Sequence, residues 1–266
     1  MRLPRPLQRP ALVARNALEG LPEPLARPVH RALGWTDAQW AYESDGMATR
    51  HYSPFLEDPD FNRRYDEMAD EWYLTMRFDA RWRMWLLTRY AAYARELPGN
   101  FAEFGVYRGG CSRMVLGTID LEPDRRLYLF DTFTGIPQDK LSAREREEGM
   151  GGRLADTSAD YVSRLLSQWD PIPVICAGDV FDTVPGVETG PLAFVHLDLN
   201  AAAPTRHVLE HVYDRLVPGG VVVFDDYGWD DYVEQRQTID TFVQDRPETI
   251  IALPTGQATL LKAGAR

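Results

Sequence analysis

The stretch FAEFGVYRGGCS, residues 101–112, is typical of a buried strand that runs into a glycine-containing turn and then a helix. Gly105 would allow the backbone to approach a ligand closely, and Gly109 with Gly110 would let the chain turn into the helix. The spacing is not the dinucleotide fingerprint G-x-G-x-x-G, because Val106, Tyr107 and Arg108 follow Gly105. The stretch predicts the first strand, turn and helix of an α/β sheet, with a purely structural glycine turn as an equal alternative.

Six more apolar runs follow, separated by helical stretches. This alternation predicts an α/β fold with a doubly wound, mainly parallel sheet, whose last strand turns back antiparallel through residues 254–256. In such sheets ligands bind beyond the carboxyl ends of the strands. The predicted strands are 101–106, 126–131, 172–179, 192–199, 221–226, 248–254 and 256–264.

Upstream of the sheet, residues 60–97 contain neither proline nor glycine, and their apolar residues recur three and four apart. This spacing predicts helix in two segments. We assign its apolar stripe to core packing rather than to ligand stacking: Trp72, Met76, Trp82, Trp85, Leu86 and Tyr90. The predicted organisation is a partly irregular arm over 1–50, a helical lid or extension over 51–98, and a catalytic domain over 99–266.

A polar insertion occupies residues 138–160. We predict that it is a mobile loop or a solvated helix on the substrate side of the sheet, and not a second domain.

Composition limits the classes of function. A net charge of −11 and a pI near 5.0 argue against nucleic-acid and membrane partners, which need a basic face, and favour a small ligand. The two cysteines, Cys111 and Cys176, have neither disulfide-framework nor zinc spacing, so we expect a reducing cytoplasm. No apolar run approaches the roughly 20 residues that span a bilayer.

Several predicted strands end in an acid. Asp131 ends the second strand, where an acidic side chain can accept hydrogen bonds from ribose hydroxyls. Asp198, Asp225 and Asp226 would gather at one rim if strands 192–199 and 221–226 are neighbours. Their mutual repulsion would be relieved by a hard divalent cation such as Mg²⁺, although helix capping or a solvated turn is the alternative.

Four motifs together resemble the macrocin O-methyltransferase (TylF/NovP-type) family of sugar O-methyltransferases. The resemblance covers roughly residues 50–262 and implies a class I methyltransferase (Rossmann-like) fold. It also implies S-adenosylmethionine as cofactor, a divalent metal such as Mg²⁺ that orients an acceptor diol, a sugar-like small-molecule acceptor, and a homo-oligomer. The motifs are EFGVYRGGCS (103–112), YLFDTFTGIP (128–137), AFVHLDLN (193–200) and LVPGGVVVFDDYG (216–228).

The resemblance also implies roles for individual residues. Asp198, Asp225 and Asp226 would hold the metal, and Asp198 and Asn200 would occupy the catalytic positions. The implied cofactor-binding residues are Glu103, Gly105, Tyr107, Ser112, Asp131, Thr132, Gly178 and Asp179.

The sequence departs from the family pattern at Asn200, where many members carry a second acid that looks like the general base. A neutral amide cannot accept a proton as a carboxylate does. Our hypothesis is that the metal acidifies the acceptor hydroxyl, so that water or a nearby imidazole takes the proton. His196 is interpreted as a structural histidine, and His207 and His211 are not assigned to catalysis.

Three other functions remain open at this point. Asn200 is compatible with methyl transfer to nitrogen, or with a non-methylating use of S-adenosylmethionine. A catalytically idle scaffold protein would keep the fold, but its three clustered acids would then lower stability without a benefit. A nicotinamide-dependent dehydrogenase is disfavoured by the glycine spacing.

Overall fold

The computed structural model describes residues 40–69 and 78–264. The predicted N-terminal arm, 1–50, is therefore described only from Trp40 onward. Trp72 and Met76 of the predicted apolar stripe lie outside the described residues.

The described residues fall into two compact units, residues 40–42 with 48–52, and residues 43–47 with 53–69 and 78–264. Strands β1 (Tyr42–Ser44) and β2 (Met47–Thr49) form a two-stranded sheet. The second unit holds the main sheet together with the helices that precede it. The predicted division into a helical extension over 51–98 and a catalytic domain over 99–266 stays a prediction.

The second unit is built on a seven-stranded sheet whose order is β5-β4-β3-β6-β7-β9-β8. Strands β3 to β7 pair in parallel, and β9 pairs antiparallel with both β7 and β8. The predicted doubly wound, mainly parallel sheet with an antiparallel last strand is confirmed. The strands are β3 (Asn100–Phe104), β4 (Leu127–Asp131), β5 (Pro173–Ala177), β6 (Leu192–Leu197), β7 (Leu216–Phe224), β8 (Ile251–Ala252) and β9 (Ala258–Leu261).

Helices cover both faces of this sheet. The eight α-helices of the described residues are α1 (Pro59–Met68), α2 (Arg81–Arg95), α3 (Gly110–Thr118), α4 (Ala143–Glu147), α5 (Ala159–Leu166), α6 (Val180–Gly186), α7 (Ala202–Val212) and α8 (Val233–Val243). Residues of α6, α7 and α8 form one core cluster with the sheet, and α2 packs against β6 and β7. Within the described residues, no helix combines the length and apolar character needed to cross a membrane.

Helix α2 turns a different face to the core from the one predicted. Trp82 and Trp85 are only partly buried and pack against Phe55, which precedes α1. The buried face instead carries Met84, Leu87, Thr88, Ala91 and Ala94, together with a fully buried arginine, Arg83. The predicted stripe followed the large aromatic residues, whereas the close approach of α2 to the sheet favours small ones.

Candidate functional site

Two adjoining clefts lie beyond the carboxyl ends of the parallel strands. They hold about 680 and 750 Å³ of space between protein atoms, part of it open to solvent. The "nucleoside cleft" is lined by Asp131, Thr132, Gly135, Ile136, Pro137, Lys140, Leu141, Asp179, Val180, Leu199, Ala201 and Pro204. The "acid cleft" is lined by Glu103, Val106, Cys111, Arg153, Asp226, Trp229, Asp231 and Tyr232. Both are also lined by Gly105, Tyr107, Leu154, Asp198 and Asn200.

Gly105 lies at the junction of the two clefts because β3 and β6 come very close there. Its φ is +87°, and a Cβ built on it would stand 1.9 Å from the carbonyl oxygen of Asp198. The amide of Asp198 donates to the carbonyl of Phe104 over 2.8 Å, which holds the two strand ends together. The glycine is therefore required first by the neighbouring strand, and not only by a ligand.

Asp131 ties the end of β4 to the turn after β3. Its Oδ2 accepts hydrogen bonds from the amides of Val106 and Tyr107 over 2.7 and 2.8 Å, and its Oδ1 accepts one from Phe133 over 2.7 Å. A carboxylate oxygen offers two lone pairs, so Oδ1 retains one for a ligand hydroxyl.

The other predicted cofactor residues divide between lining and support. Asp179 lines the nucleoside cleft and caps α6 by accepting from the amide of Phe181 over 3.0 Å. Gly178 lines neither cleft, and its amide donates to the carbonyl of Asp131 over 2.9 Å. Ser112 also lines neither cleft; its buried hydroxyl donates to the carboxylate of Glu103, which lines the acid cleft.

Asp198, Asp225 and Asp226 come together at the rim shared by β6 and β7. Each offers a carboxylate oxygen, and these three oxygens lie within 4.8 Å of one another. Burial, and repulsion by Asp225 and its neighbours, raise the pKa of Asp198 well above its usual range and that of Asp226 to about 7. The expected convergence of strand-end acids is therefore present.

Arg83, from the buried face of α2, lies directly against this group. Its Nη1 donates to Oδ2 and to the carbonyl of Asp225 over 3.0 and 2.7 Å, and its Nη2 donates to the carbonyl of Thr255 over 2.6 Å. On its other side, Nε and Nη2 contact Asp45 over 3.2 and 3.3 Å. Burial alone would raise the pKa of Asp225, but the guanidinium lowers it below its usual range.

Beneath the rim, Glu103 and His196 form a second buried ion pair. They are opposite each other on β3 and β6, with His196 Nδ1 3.0 Å from Glu103 Oε1 and Nε2 3.6 Å from Asp225 Oδ1. Burial opposes protonation of His196, but the carboxylates of Asp225 and Glu103 raise its pKa to about 10. Cys111 offers its sulfur within the same cluster, although burial raises the pKa of its thiol well above the usual value.

Asn200 is held between two of the acids. It has a φ of 56°, a left-handed conformation that asparagine tolerates, and its amide nitrogen donates to Asp198 Oδ1 over 3.0 Å and to Asp226 Oδ2. The side chain thus acts as a neutral donor. Neither His207 nor His211 lines a cleft. Among the described residues, no imidazole therefore lines either cleft, where it could take the proton of the acceptor hydroxyl.

The insertion 138–160 contributes to the wall of both clefts, and most of its residues are exposed, in agreement with the prediction of a solvated segment on the substrate side; its buried residues are Leu141, Glu145 and Met150. Leu141 and Met150 are buried against Ala201. Glu145 of α4 is buried too, and it accepts hydrogen bonds from the amides of Ser142 and Ala202 over 2.8 Å each. The insertion packs inward because its few apolar residues meet the start of α7.

Sequence reasoning missed the groups that surround the acids. Gln257 donates to Asp225 Oδ1 over 2.8 Å, and Arg83 with Asp45 completes the buried charge network. One signal was present for Arg83, because it shares a helical face with Leu87 and Ala91 at spacings of four. The sequence carries no comparable signal for Gln257.

Comparison with known proteins gives one family. The sequence model described as macrocin-O-methyltransferase (TylF) matches residues 54–250. The 8-demethyl-8-(2,3-dimethoxy-α-L-rhamnosyl)-tetracenomycin-C 4′-O-methyltransferase of Streptomyces olivaceus is 31% identical over 148 residues, 52% of this chain and 56% of that protein. The mycinamicin III 3″-O-methyltransferase of Micromonospora griseorubida is 32% identical over 143 residues, 49% of this chain and 56% of that protein. The chain thus spans about half the length of the curated relatives it matches.

Solved structures agree on the fold. The O-methyltransferase NovP superposes with a TM-score of 0.61 at 22% identity, covering 68% of this chain and 80% of that one. The calicheamicin methyltransferase CalS11 gives a TM-score of 0.60 at 21% identity, covering 79% and 94%. The predicted class I methyltransferase fold is confirmed by these neighbours.

Proposed function

The chain belongs to the macrocin O-methyltransferase family, and from this premise we propose that it is an S-adenosylmethionine-dependent enzyme that methylates a hydroxyl of a sugar or polyol-bearing small molecule. The observation that carries the proposal is the meeting of two clefts at Gly105, Asp198 and Asn200. One cleft has the features of a nucleoside site, and the other brings carboxylates to its junction with the first.

The nucleoside cleft fits the cofactor by charge and by donor chemistry. Asp131, Asp179 and Asp198 line it, so it favours the positively charged sulfonium over a neutral analogue. The free lone pair of Asp131 Oδ1 would accept from a ribose hydroxyl. S-adenosylmethionine supplies a methyl group on a good leaving group, so alignment by the protein provides much of the acceleration.

The acid cleft fits a hard divalent cation. Asp198 and Asp226 line it, Asp225 lies beside them, and their carboxylate oxygens are donors of the type that Mg²⁺ prefers. Burial, together with repulsion by Asp225, raises the pKa values of Asp198 and Asp226. Asp198, Asp225 and Asp226 would hold the ion, with Arg83 and Gln257 fixing Asp225. A bound cation would orient a vicinal diol and make its hydroxyl more acidic.

The acceptor proposal follows the relatives. The relative from Streptomyces olivaceus is named as a 4′-O-methyltransferase of a rhamnosyl-bearing tetracenomycin, and that from Micromonospora griseorubida as a 3″-O-methyltransferase of mycinamicin III. We propose a sugar acceptor of this kind, with nitrogen methylation or a non-methylating reaction as the alternative with which Asn200 is compatible. A cytoplasmic location and a homo-oligomeric state remain predictions from the sequence.

Calorimetric titration tests the proposal. S-adenosylhomocysteine should bind the purified protein, and Mg²⁺ should bind the resulting complex. Loss of a residue that only hydrogen-bonds to a metal ligand costs roughly 10- to 100-fold in metal affinity. Asp226→Asn removes a proposed ligand, so we expect it to weaken Mg²⁺ binding by at least that factor while nucleoside binding persists. Asp230→Asn is the matched control, because Asp230 is exposed and lines neither cleft.

The outcomes separate the parts of the proposal. Nucleoside binding without a Mg²⁺ signal would keep the cofactor and remove the metal. Failure of both would remove the methyltransferase assignment and return the scaffold alternative to first place.

The raised pKa values predict a pH-dependent effect of Mg²⁺ on stability. The pKa of Asp226 is raised from 3.8 to about 7, so the folded metal-free protein binds this proton more tightly than the unfolded chain does. Stability is therefore highest while both states are protonated, below the unfolded pKa, and it falls as pH rises through about 7. Mg²⁺ binds the deprotonated carboxylates and offsets that loss. We expect the Mg²⁺-induced rise in Tm to be larger at pH 8 than at pH 5, measured by calorimetry, and an equal rise at both values would contradict the assignment.

A further inference from the structure

The proposed transfer requires a group that receives the acceptor proton, and we propose that Asp231 is this catalytic base. The inference rests on the proposed function. In the step, the acceptor oxygen forms a bond to the methyl carbon while the carbon–sulfur bond breaks and its electron pair stays on sulfur. The hydroxyl proton then passes to the Asp231 carboxylate and from there to solvent.

Asn200 cannot take this role. Its amide nitrogen already donates to Asp198 and to Asp226, and an amide does not accept a proton at neutral pH. Asp198 and Asp226 accept those bonds and would bind the cation, and a carboxylate that binds a cation is a weak proton acceptor.

The remaining titratable groups of the acid cleft, apart from Asp231, are also committed. Glu103 is paired with His196 and accepts from Ser112. The hydroxyl of Tyr107 donates to Asp156 over 2.8 Å. Burial raises the pKa of the Cys111 thiol and of the Tyr232 hydroxyl well above their usual values, so both stay protonated. Arg153 is a cation and has no proton to gain.

Asp231 is the remaining carboxylate of the acid cleft. It is exposed, it lines the acid cleft beside Asp198, Asn200 and Asp226, and it makes no hydrogen bond or ion pair within residues 40–69 and 78–264. Bulk water can therefore carry away a proton that it receives. The side chain is both available and in contact with solvent, as a base that turns over must be.

Backbone hydrogen bonds connect the turn that carries Asp231 to Asp226, which follows β7. The amide of Trp229 donates to the carbonyl of Asp226 over 3.2 Å, and that of Tyr232 donates to the carbonyl of Trp229 over 3.2 Å. Asp231 lies in the short 3₁₀ turn Asp230–Tyr232 that these bonds anchor. The turn sets a carboxylate at the mouth of the cleft without drawing it into the metal cluster.

The experiment compares Asp231→Asn with Asp230→Asn, its neighbour in the same turn. Formation of S-adenosylhomocysteine is measured with Mg²⁺, S-adenosylmethionine and two rhamnose acceptors, methyl α-L-rhamnopyranoside and thymidine diphosphate-L-rhamnose. We expect kcat to fall by about 100-fold or more in Asp231→Asn, within the range for loss of a general base, and to be unchanged in Asp230→Asn. Calorimetric binding of S-adenosylhomocysteine and Mg²⁺ should be the same in both variants.

A second variant distinguishes a base from a positioning group. In Asp231→Ala the missing carboxylate leaves space for formate, and we expect added formate to restore part of the lost kcat, with no effect on Asp230→Ala. A kcat that Asp231→Asn leaves unchanged, or a loss that formate does not rescue, overturns the assignment of the base alone. If the wild-type protein neither binds S-adenosylhomocysteine in the calorimeter nor forms it with either acceptor, the proposed function falls and the base with it.

Discussion

Replacement of Arg83 by leucine is expected to lower the free energy of unfolding by about 3–5 kcal/mol, the cost of breaking a buried charge pair by removing one partner. Arg83 is fully buried, and its five hydrogen bonds go to Asp45, Asp225 and the carbonyl of Thr255. Without the guanidinium, two buried carboxylates lose their shared counter-charge. Leucine cannot satisfy them, although it fills much of the space.

Urea denaturation of the wild type, Arg83→Leu, Arg83→Lys and Arg89→Leu measures this effect. Arg89 lies on the exposed side of the same helix, 4.5 Å from the centroid of the Trp85 ring, so its replacement should change stability by no more than about 1 kcal/mol. Lysine keeps the charge but loses the planar fork, and should fall between the two. An Arg83→Leu protein as stable as Arg89→Leu would show that the buried network contributes nothing net.

The sheet could be predicted from the sequence because its signals are local. Apolar runs of strand length alternate with helical stretches, and the acids that follow them mark where the strands end. The predicted ends of the strands were less exact. Strand β7 begins at Leu216, five residues before the predicted start, because Leu216 already pairs with Leu192 on the N-terminal side of the Pro218–Gly220 segment. Strand β8 is shorter than predicted, since only Ile251 and Ala252 pair with β9.

The acid cluster could be predicted for the same reason, whereas the groups around it could not. The carboxyl ends of neighbouring parallel strands meet at one edge, which brings Asp198 to Asp225 and Asp226. Arg83 reaches Asp225 across 142 residues of sequence and Asp45 across 38. Such a contact depends on how α2 packs against the sheet, and local periodicity does not carry that information.

The role of Gly105 leads to the second large effect, in Gly105→Ala. A Cβ at this position would stand 1.9 Å from the carbonyl oxygen of Asp198, and the φ of +87° is one that alanine rarely adopts. Neither neighbour can move cheaply, because the amide of Asp198 is bonded to Phe104 in the sheet. We expect a loss of about 2–6 kcal/mol in the free energy of unfolding, combining backbone strain of about 1–3 kcal/mol with a comparable cost of overpacking.

Gly149→Ala separates the two causes of that loss. Gly149 has a φ of +71° but nothing within 4 Å of a built Cβ, so its replacement by alanine carries the backbone strain without the clash. Urea denaturation should therefore give a loss of only about 1–2 kcal/mol for Gly149→Ala. S-adenosylhomocysteine binding should fall sharply in Gly105→Ala alone, because separating β3 from β6 displaces Asp198 and the junction of the two clefts. Equal losses of stability in the two variants, with binding intact in both, would mean that conformation alone selects glycine at 105 and that the strand contact leaves the site unaffected.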